Sequence, residues 1–167
     1  MGAIFISYRR EDASGVAGRL FDRLETAFGK RRVFMDVDSI EPGLDFIDVL
    51  DRHLTECEVV LAVIGPRWIS VSDARGRRRL EDDADFVRLE LSRALSRGIR
   101  VIPVLVDGAE PVSAADLPGD LKPLARRQAI KIRHERFGAD ADQLAEALRS
   151  VAAEREHSPS KQFAAML

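Results

Sequence analysis

A single cysteine, Cys57, in a chain of 167 residues excludes an internal disulfide and any cysteine-rich metal site. It lies beside the apolar run VVLAVIG and reads as an inert small hydrophobe at a strand edge. Histidine is also scarce. His53, His134 and His157 are scattered without ligand spacing, so no metal site is expected. No apolar run is long enough to cross a bilayer. The N-terminus lacks a basic region followed by an apolar core, so no signal peptide is expected. MGAIFI opens like a myristoylation signal, but Ile6 stands where Ser or Thr is needed. A cytoplasmic protein, or a cytoplasmic piece of one, is the expectation. Charge of one sign is missing too: a net charge of −2 leaves no overall footprint for nucleic acid. Basic residues do cluster locally at RGRRR, Arg75 to Arg79, which reads as a solvated loop, with an anionic partner as the competing reading.

Several chemical signatures are also absent. No GxGxxG follows the first apolar run and no GxxxxGK[ST] occurs, so there is no glycine loop to cradle a phosphate. There is no G-x-S-x-G nucleophile elbow. No internal repeat is found. A chain of this length can bury a sizeable core as one domain without staples.

What is present is alternation. Short apolar runs AIFIS, RVFMD, EVVLAVIG, IRVIPVLVD and the weaker QAIKI are separated by helical patterns. A helix is expected from Gly15 to Phe28, where Val16, Leu20, Leu24 and Ala27 recur at helical spacing. A second carries Phe46, Val49, Leu50 and Leu54 on one face, a third spans about Asp83 to Arg97, and a last is marked by Leu144, Leu148 and Val151. Pro111, Pro118 and Pro123 punctuate a loop-rich stretch after the fourth run. Strands apolar on both faces and alternating with helices imply a parallel sheet covered on both sides. Right-handed crossovers then give a doubly wound α/β domain of five strands. Such sheets bind ligands outside the carboxyl ends of the strands, where strand order reverses. Arg9 and Arg10, just past the first strand, and DVDSIEPG, after the second, are expected on that edge. For the two cations the competing reading is a soluble strand exit.

A receiver domain shares this architecture. It needs an Asp at the end of strand three and an acidic pair after strand one. Here strand three ends VIGPRW and strand one is followed by SYRRED, which places two cations first, so that reading fails. The helix DDADFVRLELSRAL holds an unusual residue, Glu90. Phe86, Val87 and Ala94 share its face at i−4, i−3 and i+4, which makes a partly desolvated carboxylate. From spacing alone, an edge glutamate paired with Arg93 or Arg88 competes with a functional one.

The segments IFISYRRED, VFMDVDSIEPG with DF just after it, and DFVRLELSRAL followed by IRVIPVLVDG resemble the Toll/interleukin-1 receptor (TIR) domain family, in its order, over about residues 3 to 150. The likeness is greatest to the bacterial, NAD-consuming branch. It implies a flavodoxin-like fold, in agreement with the independent reading: a doubly wound five-stranded parallel sheet with helices on both faces. It implies a TIR domain over residues 1–155, with 156–167 a flexible tail or truncated linker. By the resemblance Glu90 is the catalytic glutamate. Arg9, Arg10 and Glu41 bind the nucleotide, and Phe86 stands where family members often carry Trp. Asp38, Ser39, Ile40, Pro42 and Gly43 form a self-association loop. NAD+ is implied as substrate, with no cofactor and no metal. The implied activity is NAD+ glycohydrolase or ADP-ribosyl cyclase, in bacterial defence or signalling. Implied partners are homotypic TIR contacts and a fused or separate sensor domain, with no nucleic acid and no membrane. A non-catalytic TIR–TIR interaction module is the alternative.

Overall fold

The computed structural model describes residues 2–35 and 41–157. In chain order the elements are β1 (Ala3–Ser7), α1 (Arg10–Phe28), β2 (Val33–Phe34), α2 (Phe46–Glu56), β3 (Cys57–Ile64), α3 (Phe86–Ser96), β4 (Arg100–Val106), β5 (Ile130–Ile132) and α4 (Phe137–Glu156). The strands pair in parallel in the order β2-β1-β3-β4-β5. Strand order reverses between β1 and β3, so the ligand edge lies above the carboxyl ends of these two.

Each strand alternates its side chains between two cores. Ile4, Ile6, Leu61, Val63, Val104 and Val106 face α1 and α4. Phe5, Val60, Ala62, Ile64 and Leu105 face α2 and α3. Burial on both faces explains why β3 is apolar almost throughout and fully buried. Its exception, Glu58, sits at a register shift between the Ala3 and Ile4 pairs, where Ala3 pairs with Cys57 and Ile4 with Val59. That extra residue turns Cys57 to the α2/α3 side. Burial, then the neighbouring Glu56 charge, pushes the Cys57 thiol up to about 11, which keeps it protonated and inert.

Helix starts do not follow apolar periodicity alone. The first helix begins at Arg10, not at Gly15, because a polar first turn precedes the periodic residues; a kink at Ala13 (φ −142°, ψ 24°) marks the join. The third begins at Phe86, not Asp83: Asp85 caps it, and the Asp82 carboxylate accepts from the Ala84 N–H at 2.9 Å in a turn ahead of the helix. Between β4 and β5 the connection is made of 3-10 turns at Ala114–Asp116 and Gly119–Arg126, the second containing Pro123. Among the described residues no helix is long and apolar enough to cross a membrane. Of the expected tail, Glu156 ends α4, and 158–167 lie outside the described residues.

Candidate active site

Period-two phasing at the end of β1 starts the site. Phe5 faces α2 and α3, so Ser7 does too, and the extended backbone at Arg9 (φ −97°, ψ 125°) sends that side chain the same way. Tyr8, out of phase, packs against the opposite core. Ser7 is buried, and its Oγ donates to Glu90 Oε2 at 2.7 Å. Glu90, 9% exposed, is one of the few buried charged side chains. A carboxyl group in such a place needs polar partners, and Ser7 is one of them. The two arginines that could compete for Glu90 from its own helix are engaged elsewhere: Arg88 Nε donates to Asp120 at 3.1 Å, and Arg93 Nη1 to Asp51 at 3.0 Å.

Arg9 is buried as well, 2% exposed. Its Nη1 and Nη2 donate to Asp85 Oδ1 and Oδ2 at 3.1 and 2.7 Å, a fork-on-carboxylate pair, and its guanidinium carbon lies 5.8 Å from the ring centre of buried Trp68. Asp85 is itself the N-cap of α3, accepting from the Arg88 N–H at 3.1 Å. Removing one member of so buried a pair leaves the other uncompensated, at a cost of about 3–5 kcal/mol. Arg10, the first residue of α1, is exposed on the same edge.

The head of α3 meets the head of α2. Phe86, 46% exposed, stacks on Phe46 with ring centres 4.1 Å apart. Phe46 follows the exposed turn that holds Glu41, Pro42 and Gly43, closed by a Leu44 N–H to Glu41 carbonyl bond of 3.2 Å. The turn and its glutamate are thereby tied to α3 through an aromatic contact. Asp38, Ser39 and Ile40 lie outside the described residues. On the third side, the Asp12 carboxylate in the first turn of α1 accepts from the Gly65 and Arg67 N–H groups, both at 2.8 Å, and fastens the loop after β3.

Glu90, Arg9 and Phe86 therefore converge on α3. Ser7, Asp85 and Phe46 were missed by reading the sequence as site residues. Signals existed for all three: Ser7 is in phase with Phe5, and Asp-Phe occurs before an apolar helical run at both 45–46 and 85–86. In the RGRRR run, Arg78 pairs locally with Glu81 at 3.1 Å and Arg79 reaches Glu11 of α1 at 2.7 Å. Among the described residues no group of three or more His, Cys, Asp or Glu is arranged to hold a metal ion.

A parallel sheet in this order, with helices on both faces, defines a flavodoxin-like domain. Comparison then identifies the family. The TIR domain model matches residues 4–148, and the chain belongs to the TIR domain family. It is similar to the NAD(+) hydrolase sarm1 of Drosophila melanogaster, 26% identical over 147 residues, which covers 87% of this chain and 10% of that protein. The chain thus spans about a tenth of that relative's length. It also superposes on a TIR domain of the activated Roq1 resistosome directly recognising the pathogen effector XopQ. The TM-score is 0.59 at 16% identity, over 90% of this chain and 99% of that one, a likeness of fold.

Proposed function

We propose that this TIR domain cleaves NAD+ at the bond between ribose C1′ and the nicotinamide nitrogen. The observation that carries the reading is the buried Glu90 carboxylate, with one oxygen held by Ser7 at 2.7 Å, on the ligand edge of the sheet and one turn from the exposed Phe86 ring. The hydrolase named among the relatives supports it.

The chemistry asks little more of the protein. Nicotinamide in NAD+ is cationic and departs neutral, taking the electron pair of the broken bond, so no general acid is required. Positive charge passes to the ribose, as in glycoside cleavage. A fixed carboxylate beside that carbon stabilises it without reorganising at the moment of reaction. Water then adds to C1′ and loses a proton to give ADP-ribose, or an adenine nitrogen of the substrate adds instead and the product is cyclic. Exposed Arg10 is the candidate for the pyrophosphate and Glu41 for the nucleotide, with Phe86 offering a ring face. NAD+ is substrate here, and no separate cofactor enters.

The exposed turn of Glu41 to Leu44, with Leu44 46% exposed, favours a homotypic contact as part of this reading. Activity would then rise with assembly, whether driven by concentration or by a sensor domain. Bacterial defence or signalling in the cytoplasm belongs to the same proposal. A non-catalytic interaction module would use the turn alone.

The test is nicotinamide release from NAD+ at high protein concentration. Wild type should release it, and Glu90→Gln should release it about 10²–10³-fold more slowly with the fold retained. An equal rate for Glu90→Gln would refute the assignment of Glu90. No release by wild type, with self-association retained, would leave the interaction module.

A further inference from the structure

We propose that Arg9 serves the reaction as a positioning residue, acting through Asp85 on Glu90 rather than on the phosphates of the substrate. The inference rests on the proposed NAD+ cleavage and adds to it a role for the buried cation.

Two polar contacts tie the end of β1 and the extended residues just after it to α3. Ser7 holds the Glu90 carboxylate, and Arg9 holds the Asp85 carboxylate with both terminal nitrogens. The spacings match. Two residues of extended chain, Ser7 to Arg9, span about 6.6 Å. Five residues of helix, Asp85 to Glu90, rise about 7.5 Å. The contacts run in opposite senses, Ser7 with the later helix residue and Arg9 with the earlier, because α3 returns antiparallel to the strand. The apolar face of Val87, Leu91 and Ala94 seats the helix on the sheet, and the two polar contacts, one of them a planar fork, refine its rotation and height at the end that carries Glu90.

Burial argues for the same role. At 2% exposure, with both terminal nitrogens on a carboxylate that is itself 8% exposed, Arg9 would have to abandon Asp85 to meet a phosphate. Asp85 would then be left buried and charged beside an anionic ligand. Asp85 is also the residue whose Oδ2 accepts from the Arg88 N–H and so opens the helix that carries Glu90. A displacement at this cap is carried rigidly along the helix to the carboxylate. Catalysis by a preplaced charge tolerates little error: small misplacements of a reacting group have large effects on rate.

The test is steady-state cleavage of NAD+ by Arg9→Lys, Asp85→Asn, Ser7→Ala and the double variant Ser7→Ala/Arg9→Lys. Lys keeps the charge without the fork; Asn keeps the cap but leaves Arg9 without its counter-charge, so the melting transition of each variant is measured beside its kinetics. Leu148→Ala, in the opposite core, controls for lowered stability and should keep kcat. Arg9→Lys and Asp85→Asn should each lower kcat at least tenfold with KM within twofold. The double variant should be no slower than the slower single variant, since both act through Glu90. A tenfold rise in KM with kcat kept in Arg9→Lys, a lower KM in Asp85→Asn, or additive effects in the double variant would overturn the proposal. If wild type cleaves no NAD+, the function itself has failed. Positioning is then read from a crystal structure of Arg9→Lys: a displaced Glu90 supports it, and a Ser7–Glu90 bond unchanged at 2.7 Å defeats it.

Discussion

Phe46 and Phe86 stack at 4.1 Å with their planes 27° apart, and each is the first residue of a helix capped by the aspartate before it. Asp45 accepts from the Ile47 N–H at 2.9 Å, as Asp85 does from that of Arg88. The two caps set where α2 and α3 start, and the two rings lock those starts together. Farther down, Asp51 of α2 takes Arg93 of α3 at 3.0 Å. A movement of the turn before α2 is thus felt at the helix that carries Glu90.

This relationship separates two uses of Phe86. Loss of the stacked pair should cost about 0.5–1.5 kcal/mol beyond lost burial, through either ring. Phe46→Ala and Phe86→Ala should therefore both lower the urea midpoint. If the free face of Phe86 also carries a ring of NAD+, Phe86→Ala should raise KM several-fold more than Phe46→Ala, and Phe86→Trp should restore it. Equal KM values in the two alanine variants would limit Phe86 to holding the helix heads together.

Gly65 is a place where no side chain fits. A Cβ there would lie 2.5 Å from Asp12 Oδ1, and that carboxylate cannot retreat without releasing the Gly65 and Arg67 N–H groups. Gly65→Ala should destabilise the domain by about 1–3 kcal/mol. In an Asp12→Ala background the added cost should be smaller, since the clash is gone. Equal costs in both backgrounds, measured by denaturant unfolding, would place the strain elsewhere.

Acid should weaken the end of the domain that holds α4. Hydrogen bonds from the Arg133 side chain, then from its backbone N–H, hold the Asp140 carboxyl down to about 2 from its usual 3.8. A carboxyl lowered in the folded state adds stability that is complete above its unfolded value. That stability is lost as pH falls from about 4 towards 2. Asp140→Asn should be less stable than wild type at neutral pH, with the difference shrinking over that window. A difference constant from pH 7 to pH 2 would show that the ion pair is not its source.

The turn before α2 is set by Gly43, whose φ of 88° suits glycine and forbids proline. If this turn mediates homotypic contact, specific activity should climb with protein concentration, and Gly43→Pro should flatten the climb while the melting transition remains cooperative. Specific activity that is flat across a hundred-fold dilution of an active wild type would leave a self-sufficient monomer.

How much of this the sequence determined follows from which signals are local. Apolar runs such as EVVLAVIG and the helical spacing of Leu20 and Leu24 are local, and five strands, the helices and the parallel sheet were legible from them, as was the family from motifs in order. The phase of β1 was local too, and it already put Phe5, Ser7 and Arg9 on one side. Helix starts were legible only in part, since apolar spacing says where a helix is buried while a cap such as Asp85 says where it begins. What Ser7 and Arg9 would meet on that side was not local. Glu90 and Asp85 lie 83 and 76 residues away. They arrive only because β3 joins β1 beside its carboxyl end and α3 runs back over the same face. Tertiary structure alone decided that one of two adjacent arginines is buried on a carboxylate while the other stays at the surface. Arg9 still has extended backbone and follows Ser7 inward, whereas Arg10 already opens α1, and only the packed fold supplies the carboxylate that Arg9 meets.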